Sequence, residues 1–245
     1  APTRASLLTG RHFLRTGVSH VHGGKDFVNL EETLLPEALQ ANGYRTGMWG
    51  KWHSGKTAGY FPWERGFDEA YMAQLYKHEN SRGDLNGRPV EHRKWASEVI
   101  TDYAIDFIRR RDERPFFAYL SYLTVHAPLR APAHLIDKYR SEAVSENLAT
   151  LYAMIDQLDS CINVLLTELE EQRMVRIIET LDSDDAADVV GELDAPLARR
   201  ILAAMPWKEF RDVETLLRHE EDTAGGIMAL EIVAVNQDRT AGEAL

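Results

Sequence analysis

The chain has 245 residues, 44% hydrophobic and 27% charged, the balance of an ordinary folded protein with room for one large domain or two modest ones. Its formal net charge of −11 argues against general nucleic-acid binding, and no apolar run approaches the ~18–20 residues that cross a bilayer. The single cysteine, Cys161, excludes an intrachain disulfide and leaves the redox compartment open; set among apolar residues of a predicted helix, it reads as a buried structural thiol.

The charge is unevenly spread. Residues 1–171 carry a net of −3 and residues 172–245 a net of −8, and eight of the nine histidines lie in the first segment. That segment alternates strand-like runs with Gly and aromatic punctuation, whereas the second reads as helix almost to residue 220. No secretory leader and no Met stand at the start, which reads as a fragment or a processed chain.

In chain order, the first pattern is Ala1-Pro2-Thr3-Arg4-Ala5-Ser6-Leu7-Leu8-Thr9-Gly10-Arg11. Pro2 suits a helix start, residues 5–8 form a helical turn, and an anion near Arg4 is compatible with that geometry, as is a plain N-terminal helix with a surface arginine. Next comes Gly43-Tyr44-Arg45-Thr46-Gly47-Met48-Trp49-Gly50-Lys51-Trp52-His53-Ser54-Gly55. Residues 44–49 fit a buried strand, and the glycines after it permit close backbone approach. On an extended segment Lys51 and His53 project to one face, a cation beside an acid/base group; an exposed strand end gives the same spacing. Residues 71–90 carry no pattern with a chemical reading. Residues 116–124 read as a buried strand, and His126 in Val125-His126-Ala127-Pro128-Leu129-Arg130-Ala131-Pro132 stands just beyond its end, where open α/β sheets place function. A helix over 151–169 runs without a linker into 173–181.

Beyond it lies an internal repeat. Leu181, Leu193, Met205 and Leu217 fall every twelve residues, and Asp182, Asp194 and Pro206 follow the first three as helix starts. Short helices stacked into a small superhelix are expected, then a strand over 231–235 and the opening of a helix over 240–245.

Taken together and in order, Pro-x-Arg-Ala-x-Leu-Leu-Thr-Gly-Arg, Gly-Tyr-x-Thr-x-x-x-Gly-Lys-Trp-His-x-Gly and His-x-Pro-x-x-x-Pro resemble the sulfatase family of the alkaline-phosphatase superfamily. Gly66-Phe67-Asp68 and the helix with Asp156 and Asp159 also match, so the resemblance covers residues 1 to about 171. It implies an α/β fold, an incomplete mixed-sheet sandwich followed by the all-α repeat. It further implies hydrolysis of sulfate esters, on small molecules or glycans, at a divalent cation, usually calcium. The family's nucleophile is a formylglycine made from Cys or Ser, two residues before the motif proline, which is the position immediately before Ala1. By motif match Arg4 would support nucleophile and sulfate, Lys51 would neutralise sulfate oxygens, His53 would act on the formylglycine hydrate, and His126 would bind sulfate or assist the leaving group. The family's upstream paired aspartates, its Asp-rich strand end after the helix and its later lysine have no counterpart. The calcium ligands are therefore expected to be mostly missing and the chain, as it stands, inactive. Asp156 and Asp159 read as solvated acids.

The second segment has a different resemblance. Asp182-Ser183-Asp184-Asp185-Ala186-Ala187-Asp188 and Glu221-Asp222-Thr223-Ala224-Gly225-Gly226-Ile227-Met228 look like the cytosolic part of MgtE-type magnesium transporters: an N-domain-like repeat over 172–226 and the start of a CBS domain over 227–245. That resemblance implies magnesium sensing by acidic cytosolic domains, and Asp184, Asp185 and Asp188 are the candidates for weak binding of hydrated magnesium, or else a solvated capping cluster. The two families have conflicting addresses, exported or cytosolic, so localisation stays open. With the join inside a continuous helical pattern, a chimera of two fragments is expected, with a non-functional remnant as a further alternative.

Overall fold

The structure, a computed structural model, describes residues 1–110 and 112–218. The expected strand over 231–235, the helix over 240–245 and the CBS start at 227–245 lie outside the described residues. Two compact units are present, Ala1–Leu166 and Thr167–Leu245, and the division falls within one long helix.

In the first unit α1 (Pro2–Thr9) and α2 (Leu35–Ala41) precede β1 (Arg45–Gly50), β2 (Glu69–Ala73), β3 (Arg82–Leu85) and β4 (Arg88–Glu91). Then follow α3 (Ala96–Arg109), β5 (Phe116–Ser121), α4 (Ala133–Tyr139) and the start of α5 (Glu146–Ile178). The sheet order is β4-β3-β2-β1-β5. β1 runs parallel to both β2 and β5, with Gly47 opposite Glu69 and Ala118, while β3 and β4 add antiparallel turns at one edge. The α/β mixed sheet expected from the sequence is thus the architecture found. Residues 71–90, without a legible pattern in sequence, form most of this meander; its strands of four or five residues are too short to show a clear alternation, and β4 is the edge.

β1 is central, and every one of its residues is buried. Alternation across the pleat sends Met48 and Ala70 to a core with Leu8, Val28, Leu34, Trp52 and Phe67, under α1 and α2. Trp49 and Tyr71 go to the opposite core, against Val99, Ile100, Ala104 and Phe107 of α3. Trp49 needs the bare Cα of Gly47: a Cβ there would lie 2.1 Å from the indole. Cys161 is free and buried, as its apolar setting implied. Asp156 does not stand alone: its carboxylate accepts a 2.8 Å bond from Lys138.

In the second unit the twelve-residue repeat appears as α6 (Ser183–Gly191), α7 (Ala195–Ala204) and α8 (Trp207–Leu216), with Asp182, Asp194 and Pro206 as their N-caps. The Asp194 carboxylate accepts from the Leu197 amide at 2.8 Å, satisfying one of the helix's free N–H groups. The helices share a core of Val175, Ile178, Ala186, Val190, Ile201, Met205, Val213 and Leu216.

Candidate active site

A cleft of about 1050 Å³ opens in the first unit, lined by the segments that follow β1 and β2, by the β3–β4 turns and by His126 beyond β5. Carboxyl ends of strands are where an open α/β sheet leaves room for a ligand. Lys51, His53 and His126 all line it, so three of the four candidate residues meet there although the chain separates them widely. Arg4, from α1, sits behind Lys51.

The chain leaves β1 at Gly50, whose φ of 119° is open only to glycine, and a Cβ there would lie 2.1 Å from the Ser121 carbonyl oxygen. That close approach lets the Lys51 amide donate to the same oxygen at 2.7 Å. The Ser121 hydroxyl in turn accepts from Arg4 Nε at 3.2 Å and Nη2 at 2.8 Å. Ser121 therefore holds the Arg4 guanidinium through its hydroxyl and the Lys51 backbone through its carbonyl. Burial, and after it the charge of Arg4, pull the Lys51 ammonium below its ordinary value of 10.5.

His53 departs from the extended segment expected in sequence. Its backbone is left-handed, φ 59°, so Lys51 and His53 do not share a strand face; a turn brings both to the cleft instead. His53 Nε2 lies 2.8 Å from the Val21 carbonyl and so carries the proton, while Nδ1 is buried without a hydrogen-bond partner. The Asp26 carboxylate is 3.6 Å from Nε2. Burial lowers the imidazole pKa; the Val21 bond and Asp26 oppose this, and Lys51 adds to it. The neutral ring therefore presents a lone pair at Nδ1.

His126 Nδ1 donates to the Ala127 carbonyl at 2.7 Å, which leaves Nε2 as the unprotonated nitrogen of the neutral ring. Its own carbonyl accepts from His78 Nε2 at 2.8 Å, and burial holds His78 below its ordinary pKa. Ser121, Asp26 and His78 escaped the sequence reading. Only Ser121 left a signal, a hydroxyl at the carboxyl end of a strand; the other two reach the site through turns that no local pattern announces.

The family model described as Sulfatase matches residues 1–177, most of the chain. The chain belongs to the sulfatase family. An uncharacterized sulfatase of Schizosaccharomyces pombe is 32% identical over 183 residues, covering 57% of this chain and 32% of that protein. An ulvan-active sulfatase of Formosa agariphila is 27% identical over 247 residues, 89% of this chain and 46% of the relative. The crystal structure of Ps i-CgsB in complex with k-i-k-neocarrahexaose shares the fold at a TM-score of 0.64 and 24% identity, over 70% of this chain and 44% of that one. The chain thus spans less than half the length of these relatives. A second model, the MgtE intracellular N domain, matches residues 135–222, overlapping the sulfatase match across α4 and α5.

The calcium implied by the family fares differently from the anion-facing groups. Hard cations take six to eight oxygen ligands. Among the described residues no group of three or more His, Cys, Asp and Glu side chains comes together to hold a metal ion. The donor set in the described cleft does not fit that ion, and no step is derived through it. Asp184 and Asp185 occupy the first turn of α6, with Asp188 one turn on, and they too are outside any such group.

Proposed function

We propose that the first unit carries the anion-receiving part of a sulfuric ester hydrolase site, acting on small or glycan sulfate esters. The observation that supports this reading is the cleft lined by Lys51, His53 and His126, with the charge of Arg4, held on the Ser121 hydroxyl, felt at Lys51. Two neighbouring cations in a partly desolvated site stabilise an anionic ester and the charge that develops as its S–O bond breaks. His53, neutral because of burial and holding its Nε2 proton on the Val21 carbonyl, is the acid/base group of this reading. His126, also lining the cleft, would bind sulfate or assist the leaving group.

The resemblance puts the nucleophile at the position before Ala1. A polypeptide of these 245 residues is therefore expected to bind a sulfate ester without turning it over. Calorimetric titration with methyl sulfate tests this: Lys51→Ala should weaken binding about tenfold, the worth of one charge-assisted hydrogen bond. Equal binding by wild type and variant, or steady turnover of an aryl sulfate, would contradict the reading.

A second reading is favoured by the match to the MgtE intracellular N domain and by the acidic first turn of α6. In it the helical unit senses magnesium through water-mediated contacts at Asp184, Asp185 and Asp188, and the chain joins parts of two descents along α5. Hydrogen exchange over residues 182–188 with and without millimolar magnesium checks the first point; unchanged exchange removes it. Intact sequencing reads across residues 170–174 check the second, since a reproducible join counts against misassembly.

A further inference from the structure

The cleft has a polarity that sulfate binding leaves unused. Lys51 and Lys56, from the segment after β1, line one part of it, with the charge of Arg4 acting on Lys51. Another part of the wall, built by the turn after β2 and by β3 and β4, contributes Gln74, Tyr76, Arg82, Asp84 and Glu91. Arg82 and Glu91 face each other in register across the strand pair, 3.3 Å apart and more than half exposed, an ion pair too solvated to hold its partners firmly. With Arg82 so matched by Glu91, the Asp84 carboxylate leaves this wall net negative, while the segment after β1 contributes lysines.

Tyr76 stands out in that wall. It is 56% exposed, rests its ring edge-on against His126 at 5.1 Å, and adopts a left-handed backbone, φ 68°. A bulky residue in that region is strained, and such strain concentrates where a ligand is gripped. The Tyr76 hydroxyl and the side chains of Gln74 and Asp84 make no hydrogen bond to a described residue, so their capacity is open to whatever fills the cleft. At about 1050 Å³ the volume reaches the upper range of small-molecule sites and far exceeds a tetrahedral anion.

We propose that this wall selects the leaving group: Tyr76 receives the face of a hydroxylated ring, Asp84 and Glu91 accept its O–H donors, and the negative wall disfavours a second sulfate on that ring. The inference rests on the anion-receiving role of Lys51 and Arg4. A carboxylate accepts hydrogen bonds and cannot donate one, so it rewards hydroxyl donors and repels an added anion. Asp84, Glu91 and Tyr76 are therefore specificity-determining residues of the site.

The test is calorimetric titration of the full chain with methyl sulfate, phenyl sulfate, singly sulfated galactose and glucosamine esterified at each hydroxyl in turn, and the corresponding disulfated sugars. At least one singly sulfated hexose should bind about tenfold tighter than methyl sulfate and tighter than its disulfated form. Tyr76→Ala should abolish that gain, bringing the hexose sulfate down to the affinity of methyl sulfate for the same variant. The double variant Asp84→Asn, Glu91→Gln should invert the preference toward the disulfated sugar, a result that loss of folding cannot imitate. Hexose sulfates binding no better than methyl sulfate, a gain for phenyl sulfate alone, or an unchanged preference in the double variant would each overturn the assignment. If methyl sulfate itself fails to bind, the anion-receiving role falls, and this inference with it.

Discussion

In the helical unit the core is closed between Val175 and Leu216 by neighbours along the chain, whereas in the sheet unit Arg4 reaches Ser121 across 117 positions. The first kind of structure repeats one local solution three times, with a cap, an apolar face and a stop every twelve residues. The second gathers single residues from distant turns onto one strand end. The candidate site lies in the second kind, because only long-range convergence brings Lys51, His53, His126 and the carboxylates of Asp26 and Asp84 to the lining of one cavity. The acidic turn of α6 has charge without such convergence.

The contrast is broken most severely at Gly50. Gly50→Ala drives a methyl into the Ser121 carbonyl at a φ that L-residues avoid, so a loss of about 4 kcal/mol or more is expected from overpacking and backbone strain combined. Peptide-resolved hydrogen exchange should show β1 and β5 losing protection while α6–α8, whose core contains no residue of the sheet, keep theirs. Retained protection in β1 would mean that the close approach is dispensable.

The reverse experiment is Ile201→Ala. Ile201 is fully buried among the helices, and its truncation should cost about 3 kcal/mol through the cavity left behind. Exchange should accelerate in α6–α8 and not in the sheet; an effect confined to α7 would show that the repeat does not fold as one core.

Asp194→Ala sharpens the same point at smaller scale. Removing the carboxylate that holds the Leu197 amide should cost about 1 kcal/mol, visible as faster exchange in the first turn of α7. No change there would make Asp194 a bystander.

The gentlest probe is pH. His53 and His78 both have folded pKa values below the ordinary 6.5, chiefly because of burial. The unfolded chain therefore takes up more protons than the folded one as pH falls through 6.5. The stabilisation is complete above that value and is lost progressively below it. Urea midpoints of the sheet unit should drop between about pH 7 and pH 5, and His53→Gln should reduce the slope. The described part of the helical unit contains no histidine and lacks this source of dependence. A sheet-unit midpoint independent of pH in that window would contradict the burial effect.

How much of this was legible depended on the range of the interactions. The boundaries of α6, α7 and α8 follow from Asp182, Asp194 and Pro206, because capping and periodicity act within a turn or two. β1 was legible from its apolar run and its bounding glycines. The motifs marked Arg4, Lys51, His53 and His126, yet the reason that Lys51 and His53 share a cleft was misread: a left-handed turn at His53, not strand alternation, brings them together. The meander over β2–β4 was illegible because strands of four or five residues offer too few positions for a periodic apolar signal.

The sequence alone determined which residues are apolar, where short helices begin, and which motifs belong to sulfatases, since these properties reside in neighbouring side chains. Only the tertiary structure decided that Ser121 holds the Arg4 guanidinium and the Lys51 backbone, that His53 keeps an unpartnered nitrogen, and that lysines and carboxylates from distant segments line the same cleft. Each of these depends on packing a turn from one strand end against another, and the distances that set their electrostatics exist only once the chain has closed on itself.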